Sequence, residues 1–132
     1  MVEMELNKIV IDEKRHDQLI VLKEKNGERV LPIVIGLAEA SAIKLKISGF
    51  NPPRPLLHST IQYLEANIEK IIIDKLEENT FHAKIVLKTS SGQEKIIDSR
   101  PSDSIALAVR AHAPIFVEDE IIKQSAIFNQ DK

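Results

Sequence analysis

The run Asp98-Ser99-Arg100-Pro101-Ser102-Asp103 places two carboxylates and a guanidinium within six residues, just ahead of the apolar stretch Ile105-Ala106-Leu107-Ala108-Val109. Carboxylates are the natural ligands of hard divalent cations, and arginine clamps anions with a planar, two-pronged donor set. Pro101 presets φ for a first helical residue, and Ser102 and Asp103 are placed to cap or charge-match the first turn. Lys95-Ile96-Ile97 reads as a strand. The segment is therefore a strand-to-helix corner, where chemical groups are held by regular elements on both sides. The same residues also make a helix cap with an adjacent ion pair, a purely structural role.

The elements that must position this corner follow from periodicity. A first strand is expected over Glu5 to Asp12, and Leu19-Ile20-Val21-Leu22 is a short buried strand. Asn26-Gly27 signals a hairpin, with Val30 to Ile35 as the return strand. Pro32 cannot donate to a ladder, so that strand lies at an edge or carries a bulge. A buried, alanine-rich helix is expected from Gly36 to Ser48, then a stiff connector, Asn51-Pro52-Pro53-Arg54-Pro55. Leu57, Ile61, Leu64 and Ile68 fall on one helical stripe and predict a helix from Leu56 to Asn67, with His58 in its first turn. Ile71-Ile72-Ile73 starts another strand, and Phe81 to Lys88 alternates with period two. Ser90-Ser91-Gly92 turns the chain back toward the corner. Pro114 to Val117 is a last short strand, Glu118 to Ile127 a last helix, and Asn129 to Lys132 a frayed tail.

This pass contains an echo. Leu19 to Ile43 and Ile85 to Leu107 both read strand, glycine turn, strand, helix with an acid in its first turn. An internal duplication of that unit would bring Glu39 to face Asp98 and Asp103 about a pseudo-twofold axis. The expected fold class is α+β: antiparallel hairpins packed against helices, in one domain spanning residues 1–128 with a short tail at 129–132.

Composition narrows the chemistry. With 132 residues, 43% hydrophobic and 29% charged, the chain can bury a sizeable core. A net charge of −2 argues against a protein that coats phosphate backbones, but leaves room for a local nucleic-acid site. The absence of cysteine removes disulfides, thiol nucleophiles and thiolate zinc sites. The acidic N-terminus does not read as a signal peptide, and no apolar stretch approaches the roughly 20 residues of a membrane span. A cytoplasmic, non-membrane protein is expected.

Taken together, Leu31-Pro32-Ile33-Val34-Ile35-Gly36 with Glu39-Ala40, Pro53-Arg54-Pro55-Leu56 with His58, Thr80-Phe81-His82-Ala83, Asp98 to Ala108, and Ala113 to Val117 resemble the bifunctional nuclease domain family. The resemblance runs from about Val10 to Ser125. It implies a compact α+β domain, association into homodimers, and DNase and RNase activity, with nucleic acid as the partner. Two positions depart from the family pattern: Leu57 where threonine is usual, and Ser59 where aspartate is common. Some relatives carry a further helical module after this domain, for which this chain is expected to be too short.

Phosphodiester hydrolysis needs an activated water, stabilisation of the charged transition state, and help for the leaving oxygen. Within the resemblance, Glu39, Asp98 and Asp103 are the candidate ligands for Mg²⁺ or Mn²⁺. Arg54 and Arg100 are the candidate phosphate clamps, and His58 the candidate general base or acid, since an imidazole titrates near neutrality. Asp98, Arg100 and Asp103 complete the expected catalytic set. His82 is expected on an outward strand face and His112 just past a helix end, neither of them catalytic. Lys70, Lys75, Lys84, Lys88 and Lys95 could form a basic strip or only a solvated sheet face. Tyr63 is the single tyrosine and there is no tryptophan, which gives base stacking little support. Two other functions fit the same residues: a non-catalytic interaction or regulatory module with a structural Asp/Arg corner, and a binder of small anions.

Overall fold

In the computed structural model, which describes residues 1–10, 18–35, 56–78 and 80–130, hydrophobic alternation builds one mixed sheet. The strands are β1 (Val2–Val10), β2 (Gln18–Glu24), β3 (Val30–Ile35), β4 (Ala66–Glu77), β5 (Thr80–Thr89), β6 (Glu94–Ser99) and β7 (Ile115–Val117). Their spatial order is β3-β2-β1-β7-β4-β5-β6. Two antiparallel meanders, β1 to β3 and β4 to β6, flank the three-residue β7. β7 pairs antiparallel with β1 and parallel with β4, for example Ile71 opposite Ile115.

Three helices are present among the described residues: α1 (Leu56–Tyr63), α2 (Pro101–Ala111) and α3 (Asp119–Gln130). Ile61 of α1, Ile105 and Ala108 of α2, and Ile121 and Ile122 of α3 join Met4, Ile20, Leu22, Ile71, Ile73, Ile85 and Val117 in a single apolar core. Each fully buried Ile or Leu contributes about 1.5–3 kcal/mol relative to exposure, so this contact holds the helices to the sheet. The expected α+β class is the observed one.

Helix α2 is the element that positions the candidate chemistry. It leaves edge strand β6 and returns to central strand β7, which runs parallel to β6, so it crosses the sheet from rim to middle. One helix end therefore sits at the rim and the other over the centre. Pro101 occupies the start of the helix and Arg100 the N-cap position, without a side-chain capping bond. Ser104 is fully buried and its Oγ donates to the Pro101 carbonyl at 3.0 Å.

Several boundaries differ from expectation. β1 lies at Val2–Val10, nearer the terminus than expected, with a bulge between Leu6 and Lys8. Helix α1 ends at Tyr63 and not at Asn67: Glu65 turns into the left-handed region (φ 61°) and Ala66 already belongs to β4. Leu64, expected on the buried stripe, is 72% exposed. β4 extends well beyond Ile71–Ile73, and bulges at Ile68/Lys70 and Ile73/Lys75 interrupt its alternation. The β2–β3 connection spans residues 25–29, longer than the two-residue turn Asn26-Gly27 suggests, and is closed by Glu24 N–H donating to the Arg29 carbonyl at 2.9 Å. Pro32 does lie in an edge strand. α3 reaches Gln130, so part of the expected tail is helical. The helix expected at Gly36–Ser48 and the connector at Asn51–Pro55 lie outside the described residues. No described helix is long and apolar enough to cross a membrane.

Candidate functional site

At the rim, the expected corner forms. Arg100 Nε and Nη2 donate to the two carboxylate oxygens of Asp103 at 3.0 and 3.3 Å, a two-pronged pair. Asp103 sits in the first turn of α2, where its charge also complements the helix dipole. Asp98 lies opposite Lys84 across the β5–β6 ladder, and Lys84 Nζ is 3.7 Å from its Oδ1. Lys84 also donates to Asp74 Oδ2 on β4. The hydrogen bond to Asp74, assisted by the charges of Asp74 and Asp98, holds the Lys84 ammonium above its ordinary value of 10.5.

Both corner carboxylates thus have a cationic neighbour, yet neither is covered: the Asp98 side chain is 89% exposed and that of Asp103 40%. No cluster of three or more His, Cys, Asp or Glu able to hold a metal occurs among the described residues. Asp98 and Asp103 do not by themselves fit a divalent-cation centre. Glu39 and Arg54, the remaining members of the expected set, lie outside the described residues. The internal duplication is not established either. β3 and β6, which lead into the two related corners, are the opposite outer strands of the sheet.

His58 is elsewhere. It is buried (6% exposed) in the first turn of α1 and lines a cleft of about 290 Å³ formed by α1, the start of β4 and the C-terminal end of α2. Among the described residues its polar lining is His58, Gln62, Asn67, Arg110 and His112, with Ile61 and Ala66 among the apolar ones. Asp98, Arg100 and Asp103 are absent from that lining. Between Asp103 and Arg110 the helix advances about 10 Å at 1.5 Å per residue. Of the described members of the expected set, His58 therefore lies at one end of α2 and Asp98, Arg100 and Asp103 at the other.

Arg110 and His112 carry no motif signal in the sequence. His112, expected past a helix end, lies there: it caps α2 in the left-handed conformation (φ 57°), and Ala113 N–H donates to the Ala108 carbonyl at 2.9 Å. Its partners in the cleft come from α1 and β4, which only the folded chain brings near. His82 is exposed on β5, as expected. Of the lysine strip, Lys84 and Lys75 pair with acids and Lys70 lies 5.8 Å from the Phe116 ring centre, leaving Lys88 and Lys95 facing solvent. Two of the five are thus paired with acids, and Lys95, opposite Leu87, points to the other face of the sheet from Lys84 and Lys88.

Residues 20–130 match the bifunctional nuclease domain. The chain belongs to the bifunctional nuclease domain family. It is 35% identical, over its full length and 80% of the relative's, to an uncharacterised protein of Mycobacterium tuberculosis. It is 21% identical to bifunctional nuclease 1 of Oryza sativa subsp. indica over 83% of this chain and 35% of the rice protein, and the protein named bifunctional nuclease in Oryza minuta matches over the same shares. The matched span of this bifunctional nuclease domain includes both ends of α2 and the His58 cleft.

Proposed function

We propose that this chain is a nuclease that hydrolyses phosphodiester bonds of DNA and RNA. The observation that carries the reading is His58, an imidazole buried at the wall of a cleft that also holds an arginine, in a chain of this family. An imidazole there can take the proton of a water whose oxygen bonds to phosphorus, or return a proton to the oxygen whose bond to phosphorus breaks. The products are a phosphomonoester and a free hydroxyl, with no further reactant consumed. Kinship with a rice protein named bifunctional nuclease 1 supports the nuclease reading.

The roles expected for Asp98, Arg100 and Asp103, the Mg²⁺ or Mn²⁺ site with Glu39, the Arg54 clamp and the homodimer belong to this same proposal. A second reading draws on the Arg100–Asp103 and Lys84–Asp98 pairs: the corner ties β6 and β5 to α2 and takes no part in chemistry. Cleavage of single- and double-stranded DNA and RNA, with and without EDTA, separates these. The nuclease reading expects cleavage by the wild type and its loss in His58→Ala. Loss in Asp98→Ala and Asp103→Ala together with EDTA sensitivity assigns a cation to the corner; full activity in both makes the corner structural. No cleavage of any of the four substrates refutes the nuclease.

A further inference from the structure

The two most exposed large apolar side chains among the described residues are neighbours in the chain: Tyr63, 90% exposed, and Leu64. Tyr63 is the last residue of α1, and the pair forms the tip of the turn into β4. None of the other exposed large apolar side chains, among them Val34 on β3 and Ile96 on β6, is aromatic. Single exposed aliphatic residues are ordinary on a protein surface. An aromatic ring laid open to water forgoes one of the largest burials a side chain offers.

The tip is held in place and borders the cleft. Leu64 N–H donates to the Thr60 carbonyl at 3.1 Å, and Glu65 N–H to the Gln62 carbonyl at 2.9 Å. Glu65 then takes the left-handed conformation (φ 61°), which a residue with a side chain adopts against a local cost. Gln62 just before the tip, and Ala66 and Asn67 just after it, line the same space as His58. His58 and Tyr63 stand on one helix, about 7.5 Å apart along its axis at 1.5 Å per residue. A nucleic-acid strand advances about 3.4 Å per nucleotide in a duplex and further when unstacked, so neighbouring nucleotides of one strand reach both positions.

We propose that Tyr63 is a base-stacking platform that selects single-stranded nucleic acid, with Leu64 packing against the adjoining sugar. The inference rests on the nuclease reading for its ligand and deepens it by naming the class of substrate. Every base has a π-face, so stacking on a tyrosine tolerates any sequence and suits DNA and RNA alike. In a duplex those faces already cover one another, whereas an unpaired strand leaves them open. The ring has only two side-chain torsions to fix, and its hydroxyl stays in water while the face is covered. The contact is to a neutral base, so the carboxylate of Glu65 does not oppose it as it would a phosphate.

The chain has one tyrosine and no tryptophan, so its tyrosine emission reports Tyr63 alone. Titration of the wild type with a single-stranded oligothymidylate, whose phosphorothioate links resist hydrolysis, is expected to quench that emission saturably. A base-free strand of the same length is expected to leave the emission unchanged. Tyr63→Ala is expected to weaken binding of the labelled single strand, read by fluorescence anisotropy, about tenfold or more. The same variant is expected to raise KM for single-strand cleavage with kcat kept, and Tyr63→Phe, which retains the ring, to restore both quantities. Thermal melting verifies that the variants are folded. Binding of the strand without quenching, or equal binding by the wild type and Tyr63→Ala, overturns the platform. Emission that varies with protein concentration and not with the oligonucleotide also overturns it, and makes the tip a protein-association surface. Single-strand cleavage with the same KM in the wild type and Tyr63→Ala overturns it while leaving the nuclease intact. Quenching in the wild type and weakened binding in Tyr63→Ala, without cleavage of any nucleic acid, uphold the platform and remove the nuclease.

Discussion

The two ends of α2 set their charged residues in different surroundings. At the rim of the sheet, Arg100 and Asp103 engage each other within the first turn, and Asp98 leans toward Lys84 on the neighbouring strand. The cationic groups there already have anionic partners inside the protein. At the centre of the sheet, Arg110, His112 and His58 gather around a cleft whose described lining adds two side-chain amides, Gln62 and Asn67. Proximity of polar and charged groups is thus common to both ends, and what differs is the setting. The corner is exposed and its Arg100–Asp103 pair is local in sequence, whereas the cleft holds a buried imidazole and joins residues distant in the chain.

The sharpest way to break this contrast is to remove one group from each end and measure the same reaction. His58→Ala is expected to lower the cleavage rate by about 10²–10⁴-fold, the usual contribution of a positioned proton-transfer group. Asp103→Asn, nearly the same size and uncharged, is expected to lower it by less than His58→Ala does. Steady-state rates on one fluorescent oligonucleotide suffice for both. A larger loss in Asp103→Asn than in His58→Ala would invert the assignment of the two ends.

The body of the helix gives the next largest effect. Ile105 is fully buried against the sheet, between the two ends. Truncation to Ala is expected to remove about 2–5 kcal/mol of stability through lost burial and the cavity left behind. Urea unfolding measures it. Because Ile105 belongs to the core that fixes both ends, the loss should not favour either; the active fraction is expected to follow the folded fraction.

How far the sequence disclosed this arrangement differs between the two ends, for a physical reason. The rim corner is local: Pro101, Asp103 and the strand-like Lys95-Ile96-Ile97 announce a strand-to-helix junction within a few residues, and the junction is there. Hairpins marked by Gly27 and Gly92 were readable for the same reason, and Gly92 adopts the φ of 86° that glycine alone reaches freely. β4 was only partly legible, because two bulges shift its register and spoil the period of two. The stripe from Ile61 to Ile68 was misread for a related cause: apolar residues spaced for a helix are shared between the end of α1 and the start of β4. The cleft was illegible because nothing in the sequence links His58 to Arg110 and His112, some fifty residues on. The fold places them together, so that His112, a helix-end residue by sequence, lines the same cleft as His58.

His112 offers a smaller effect in which stability and function part. Its left-handed backbone suits glycine, so His112→Gly is expected to raise stability by up to about 1 kcal/mol, offset in part by the greater freedom of glycine in the unfolded chain. Activity is expected to fall in the same variant. A melting temperature that rises while cleavage drops marks an imidazole retained for what it does. If both quantities fall together, His112 is a packing residue and the cleft loses one of its two rings.

The smallest expected effect lies at the rim and concerns pH. The Lys84 ammonium is held above its ordinary value, first by its hydrogen bond to Asp74 and then by the charges of Asp74 and Asp98. A lysine that holds its proton more tightly when folded stabilises the fold fully below the unfolded pKa, and that contribution is lost as pH rises through the folded one. The tie between β5, β4 and β6 should therefore be intact at neutral pH and should weaken only above about 10.5, the ordinary lysine value. The pair is solvent-accessible, so the change is expected to be slight and to shrink with added salt. Melting curves of the wild type and Lys84→Met between pH 8 and about 11.5 isolate it as the difference between two profiles that converge at the alkaline end. A gap that stays constant up to the alkaline end would mean that Lys84 stabilises the rim by packing its methylene stem and not by its charge.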